Sequence, residues 1–375
     1  MVFATGYRRI GAHADLSCVA FCTSRTILHS DQPVDLPYQF EGIILLGVRN
    51  RVQNFVRSSM VRCLVTGGCG FIGSHIVRGL LDAGHQVRIL DNLFTGHRHN
   101  IDEVADQVEF IEGDINDAQA VQAALDGIER VFHQAALASV PLSLERPLDT
   151  NHACVTGTLN MLHWSVKAKV KRFVYAASSS AYGDTPTSSK RETDLPQTLS
   201  PYAAAKLAGE YYCQSYFHSF GLETVGIRYF NVFGPRQDPN SPYSAVIPLF
   251  VSRILSGEQP SIYGDGLQSR DFTYVANVVR GNLLASEVPN VGGRIFNVAD
   301  GRQTTLLQLL ELLAKLLGKE ITPVHLPPRV GDVRESLADI TQARKMLGYE
   351  PVVGLEEGIK RTIDYYRQIV TQRKR

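Results

Sequence analysis

From Val61 onward, short apolar runs alternate with longer segments whose apolar residues recur every three or four positions. The runs Val61–Thr66, Gln86–Asp91, Val108–Glu112, Arg130–His133, Arg172–Ala177 and Glu223–Tyr229 are mostly rich in Val, Ile and Phe and too short for helices, so they predict buried strands. Between them, helical periodicity predicts helices over Ile72–Asp82, Ala118–Leu125, Leu148–Ala168 and Tyr202–Phe220. Strands and helices in alternation imply an α/β fold, a doubly wound parallel sheet with helices on both faces. After about Asn231 the elements shorten and prolines cluster at 235, 239, 242, 248 and 260. Helical periodicity resumes over Val246–Leu255, Val275–Glu287, Thr305–Leu317 and Leu355–Val370, with Leu306–Leu317 read as core packing rather than a zipper. The expected organisation is a sheet domain over 60–230 and a smaller α/β substrate lobe over 231–375, closing over the strand ends, with some crossing of segments between them.

Residues 1–59 carry no sustained periodicity and read as a disordered extension. Arg8-Arg9 before Ile10–Cys22 resembles a signal peptide only until His13 and Asp15 interrupt the apolar stretch. Met60 stands directly before the first strand, and the functional protein is expected to begin there.

Composition narrows the class without naming it. With 44% hydrophobic and 20% charged residues the chain reads as an ordinary globule. A net charge of +1 gives no reason to expect nucleic-acid or membrane partners, and no apolar run approaches the ~20 residues of a membrane span. Six cysteines without CxxC or disulfide-framework spacing fit a cytoplasmic protein, and no metal site is expected.

The first strand runs into Gly67-Gly68-Cys69-Gly70-Phe71-Ile72-Gly73, and Asp91 follows Gly73 by 18 residues at the end of the next strand. That order is how a Rossmann-type fold grips a dinucleotide. Gly67 permits a tight turn, Gly70 lets backbone approach a pyrophosphate at the positive end of a helix, and Gly73 lets helix and strand pack closely. Asp91 suits both hydroxyls of an adenosine ribose, which favours NAD over NADP. Cys69 introduces a thiol beside the expected pyrophosphate.

Tyr202 and Lys206 stand four apart in a helix that Ser200-Pro201 opens as N-cap and first residue. An ammonium beside a phenol favours the phenolate, making a general base near neutral pH. Ser178-Ser179-Ser180 ends a strand at the carboxyl edge of the sheet, where ligands bind in such folds.

With Thr66–His75, Asp91-Asn92, Gly113-Asp114-Ile115, His133-Gln134-Ala135-Ala136, Ser178–Gly183, Tyr202–Lys206 and Arg228–Gly234, the chain resembles the extended short-chain dehydrogenases/reductases, specifically the nucleotide-sugar 4-epimerases, from Met60 nearly to the C-terminus. The resemblance implies a tightly bound NAD, regenerated each cycle, held by Gly67, Gly70, Phe71, Ile72, Gly73, Asp91 and Asn92. Asp114 and Ile115 would lie near the adenine, Ala135 and Ala136 beside the nicotinamide ribose, and Asn151 would brace the cofactor side. Lys206 would bond that ribose and tune Tyr202, and Ser178 would contact the sugar O4. Asn231, Arg270, Arg329 and Asp332 would hold the nucleotide diphosphate and ribose. The implied reaction oxidises C4 of a UDP-sugar to a ketone, turns the sugar over and reduces its other face. A homodimer through Leu148–Ala168 and Tyr202–Phe220 is also implied.

Within that family, Ser179 and Ser180 stand where dehydrating and decarboxylating relatives carry acids, which points to epimerisation. Ser336 occupies the position where a tyrosine would exclude an N-acetyl group. Ser139-Val140 and Asp238–Pro248 likewise resemble the UDP-N-acetylhexosamine branch. The expected reaction is UDP-N-acetylglucosamine to UDP-N-acetylgalactosamine, with UDP-glucose as a further substrate. The alternatives are a UDP-glucuronate 4-epimerase, another nucleotide-sugar dehydratase or decarboxylase, or a non-catalytic NAD-binding regulator.

Overall fold

The computed structural model describes residues 60–373 apart from 186, 188, 240–244 and 329–332. The expectations for residues 1–59, for Arg329 and Asp332, and for 240–244 within the Asp238–Pro248 stretch therefore lie outside the described residues. The first half consists of β1 (Arg62–Thr66), α1 (Phe71–Asp82), β2 (Gln86–Asp91), β3 (Val108–Glu112), α2 (Ala118–Leu125) and β4 (Arg130–His133). Next come α3 (Val140–Glu145), α4 (Pro147–Asn151), a π-turn over His152–Thr156, α5 (Gly157–Lys167), β5 (Arg172–Ser178), α6 (Pro201–Phe220) and β6 (Glu223–Tyr229). The remainder is β7 (Val232–Phe233), α7 (Val246–Leu255), β8 (Ser261–Tyr263), β9 (Ser269–Arg270), β10 (Thr273–Tyr274), α8 (Val275–Glu287) and β11 (Arg294–Val298), then β12 (Thr304–Thr305), α9 (Leu306–Leu317), β13 (Val324–Leu326), β14 (Glu335–Ser336), α10 (Thr341–Leu347) and α11 (Leu355–Arg373).

Seven parallel strands form the main sheet in the order β3-β2-β1-β4-β5-β6-β11. The order reverses between β1 and β4, the switch point where such sheets bind ligands. On one face α1 and α8 bury Ile76, Val77, Leu80, Val278 and Ala285. On the other, α2, α5 and α6 bury Val121, Leu125, Met161, Leu162 and Cys213. A further core, with Phe250, Ile254, Leu309, Leu313, Ile359 and Ile363, joins α7, α9 and α11. The leucines of α9 thus pack inward, as their spacing predicts. Among the described residues no helix is long and apolar enough to cross a membrane.

Two features of the chain path bear on the sequence reading. Strand β11 and helix α8, both beyond residue 230, belong to the main sheet and its cover, so the second half of the chain returns to the first. The helix expected over Leu148–Ala168 is interrupted by the π-turn, where Gly157 N donates to His152 O, one residue beyond α spacing. Tertiary contacts favour that turn: the Thr158 hydroxyl donates to Cys154 O at 2.7 Å and meets His133 of β4 at 3.0 Å.

Candidate active site

The cofactor cradle is built where β1 ends. Gly67 has φ +68°, and a Cβ there would lie 2.8 Å from Ala135 N, so only glycine lets the turn pass under the Gln134–Ala135 backbone. At Gly73 a Cβ would fall 2.0 Å from Gly67 O, because α1 starts directly against the turn. Asp91 at the tip of β2 accepts from Cys69 N at 2.9 Å and Leu93 N at 2.8 Å. It therefore shapes the glycine turn, and each oxygen keeps a lone pair free for a further donor such as a hydroxyl. Burial raises its carboxyl, against those two backbone bonds. Cys69 is fully buried, and burial, then the Asp91 charge, pushes its thiol up to about 12. It is an inert packing sulfur. Asp114 accepts from Asn92 Nδ2 at 2.7 Å and from Asn116 N at 2.8 Å, while Asn160 Nδ2 donates to Ile115 O at 2.7 Å. These bonds fix the loop after β3 expected near the adenine. A turn that a side chain would fill, an open helix N-terminus at Gly70 and a carboxylate on the ribose side together fit NAD.

The Ala135-Ala136 segment is held by a chain of hydrogen bonds that sequence reasoning missed. Ala135 N donates to Thr66 Oγ1 at 3.3 Å, and that hydroxyl meets His133 Nδ1 at 2.7 Å. Since the Thr158 hydroxyl proton is committed to Cys154 O, His133 Nε2 carries the hydrogen and donates to Thr158. Complete burial, aided by the Lys206 charge, pushes His133 down to about 3, so it stays neutral. The sequence signal was a hydroxyl residue ending β1 beside the histidine ending β4. Asn151 lies exposed at the end of α4, and Cys154 is the residue that the following π-turn buries.

At its carboxyl end β5 stops at Ser178, whose Oγ accepts from Ser180 N at 3.2 Å and Ser180 Oγ at 2.8 Å. Ser200 caps α6 by accepting from Ala203 N at 3.1 Å, and Pro201 opens the helix as predicted. Lys206 is buried, its Nζ donating to Ala176 O at 2.8 Å. One expectation is corrected here. In the protein alone, burial raises the Tyr202 phenol, with Cys154 adding to the rise and a hydrogen bond to Ser178 opposing it. Burial also lowers the Lys206 ammonium. Desolvation thus outweighs the lowering expected from Lys206, which rests against a backbone carbonyl.

A cavity of about 970 Å³ brings together Ser178, Tyr202, Asn231, Arg270 and Ser336. Ser139 caps α3, accepting from Leu142 N at 3.1 Å, and the helix it starts lines the cavity through Val140, Pro141 and Leu144. Asn231 adopts φ +30°, and its carbonyl accepts from Thr273 N at 3.2 Å. Arg270 and Ser336 are register partners in the small sheet β12-β9-β14. Asp271, next to Arg270, pins that sheet: it accepts from Asp300 N at 3.0 Å, Gly301 N at 3.1 Å and Ala338 N at 3.2 Å. Burial pushes its carboxyl up to about 7 despite those three bonds. Only its place beside Arg270 could have signalled it in the sequence.

The geometry has clear counterparts. Residues 63–299 match the NAD dependent epimerase/dehydratase family. A crystal structure of a UDP-glucose 4-epimerase with UDP-glucose from Thermotoga maritima is 41% identical, with TM-score 0.79, covering 82% of this chain and 99% of that one. A UDP-N-acetylglucosamine 4-epimerase from Methanobrevibacter ruminantium, in complex with UDP-N-acetylmuramic acid, is 39% identical with TM-score 0.80, over 83% and 100% of the chains. A UDP-glucuronic acid 4-epimerase from Bacillus cereus, with UDP-glucuronic acid and NAD, is 32% identical with TM-score 0.77, over 82% and 99%. From the glycine turn, the Ser178–Tyr202–Lys206 corner and these likenesses together, the chain belongs to the NAD-dependent epimerase/dehydratase family, among the extended short-chain dehydrogenases/reductases that act as nucleotide-sugar epimerases.

Proposed function

We infer that this chain is an NAD-dependent UDP-sugar 4-epimerase, and we propose that it interconverts UDP-N-acetylglucosamine and UDP-N-acetylgalactosamine, with UDP-glucose as a further substrate. The observation that carries the reading is the single cavity holding Ser178 and Tyr202 at one side and Ser336 on its wall. Serine at that wall position leaves volume for an acetamido group that a tyrosine would occupy. Glu335, beside it on the same wall, sets a like charge against a uronate.

In this reading Tyr202 receives the C4 hydroxyl proton and later returns it, while Ser178 orients that hydroxyl. Bound NAD supplies the oxidising and reducing equivalents at C4, and its positive ring offsets the burial that raises the phenol. Lys206 holds the nicotinamide-ribose side and the position of Tyr202. Arg270, with Asn231, grips the diphosphate so that the sugar alone turns over. The corresponding places of Arg329 and Asp332 fall outside the described residues. The exposed Leu148 and Tyr211, on the helices expected at a dimer face, support a second copy as partner.

Proton NMR of the purified protein with UDP-N-acetylglucosamine and no added NAD tests the proposal directly. A galacto anomeric signal is expected. Turnover of UDP-glucose alone would keep the epimerase and discard the N-acetyl assignment. Ser336→Tyr is expected to lower kcat/KM for the N-acetyl sugar by about 100-fold while costing UDP-glucose less than threefold. Equal loss on both sugars would remove Ser336 as the gatekeeper.

A further inference from the structure

Lys206 is only 3% exposed, and its ammonium donates to a neutral carbonyl, Ala176 O. Glu210, one turn further along α6, is itself engaged: Arg228 Nε and Nη2 donate to its two oxygens at 2.9 and 2.7 Å. What lies against the ammonium is an aromatic face. Lys206 Nζ stands 5.2 Å from the centroid of the Tyr175 ring, within the range where a ring quadrupole attracts a cation. Desolvation strengthens that attraction, and it acts on the form that burial otherwise disfavours.

The ring is held from three sides. Its hydroxyl donates to Lys206 O at 3.2 Å. Gly209 makes the approach possible, since a Cβ there would fall 2.2 Å from the Tyr175 hydroxyl oxygen. On the strand side the His133 ring stacks at 6.0 Å between centroids and 25° between planes. His133 is neutral, so no second cation competes for the same ring. Tyr175 itself stays neutral, because complete burial raises its phenol well above the usual value.

We propose that Tyr175 is a positioning residue for the acid–base pair: its ring seats the Lys206 ammonium. The proposal rests on the reading of Tyr202 and Lys206 given above. The charges that act on the ammonium are those of Glu210 and Cys213 from α6 and Cys154 from the π-turn; the ammonium acts in turn on neutral His133 of β4, Arg228 of β6 is paired to Glu210, and Tyr202 stands one turn before Lys206 on α6. Replacing Tyr175 removes the ring and leaves all of these in the sequence. Without the ring the ammonium loses the surface that holds it in place, so its support of the Tyr202 phenolate weakens and the base form should appear at higher pH.

The test is the pH dependence of kcat for the holoenzyme and its Tyr175→Phe, Tyr175→Met and Tyr175→Leu variants, with Tyr202→Phe as control. Phenylalanine keeps the ring face, so activity within about threefold and an unmoved acid limb are expected. Methionine and leucine fill the space without a ring. Each is expected to lower kcat at pH 7 about tenfold and move the acid limb up by about one unit, with KM unchanged. Running both keeps the test decisive when one of them fails to fold. An unmoved limb in the folded variant, or a Phe profile shifted as far as it, overturns the seat. An active Tyr202→Phe would instead overturn the acid–base reading on which the seat depends.

Discussion

Tyr202→Phe is expected to abolish epimerisation while leaving a folded protein that retains NAD. The Tyr202 side chain is half-buried in the cavity lining, so removal of its hydroxyl costs at most about 1 kcal/mol of stability, the scale of one neutral hydrogen bond. Catalysis loses far more, because in the proposed mechanism Tyr202 is the group that takes and returns the C4 proton. A fall in kcat of at least about 10³ is expected, within the range of a positioned general base. Anomeric proton signals measure the activity, and the absorbance of nicotinamide released on denaturation measures the cofactor. Activity within tenfold of wild type would remove Tyr202 as the base. Loss of NAD together with activity would assign the residue to the cofactor instead.

The second large effect concerns acid. Native His133 is pushed down to about 3, whereas in the unfolded chain it titrates near 6.5. As pH falls, the unfolded chain takes up the proton first. The contribution to stability is therefore complete above about pH 6.5 and lost progressively towards pH 3, amounting to roughly 5 kcal/mol at the bottom of that window. His75, pushed down to about 4 by burial while its Nε2 meets Pro235 O at 2.9 Å, adds a loss of the same sign. Urea unfolding at pH 7 and pH 4.5 should show this. His133→Gln should start less stable at pH 7 and lose about 3 kcal/mol less than wild type between the two pH values. Parallel losses in the two proteins would mean that His133 is not the acid-sensitive group.

Much of the sheet was legible because its strands are short runs mostly rich in Val, Ile and Phe, set between longer segments of helical periodicity. The cap Ser200-Pro201 fixed the start of α6, and the glycine triplet with Asp91 located the cradle. Strand β11 was hidden: Arg294–Val298 carries Asn297, follows two glycines, and is specified by pairing with β6 rather than by its own pattern. The π-turn was hidden for a related reason, since His152–Thr156 contains no breaker and the choice between spacings depends on Thr158 and His133. Two-residue strands such as β9 and β14 have no periodicity to read. The spacing of Tyr202 and Lys206 gave their proximity, but spacing carries no information about desolvation, which decides how the phenol titrates.

The small sheet that pairs Arg270 with Ser336 has a consequence for how such an enzyme changes over evolution. Its register is kept by the Asp271 carboxylate and the backbone of Asp300, Gly301 and Ala338, in segments other than β5 and α6. Bond making and sugar choice therefore rest on separate supports. A lineage can exchange the side chain at residue 336, and with it the accepted sugar, without re-solving the placement of Ser178, Tyr202 and Lys206. Divergence into enzymes for different sugars then needs few steps, each with an active catalyst on either side of it.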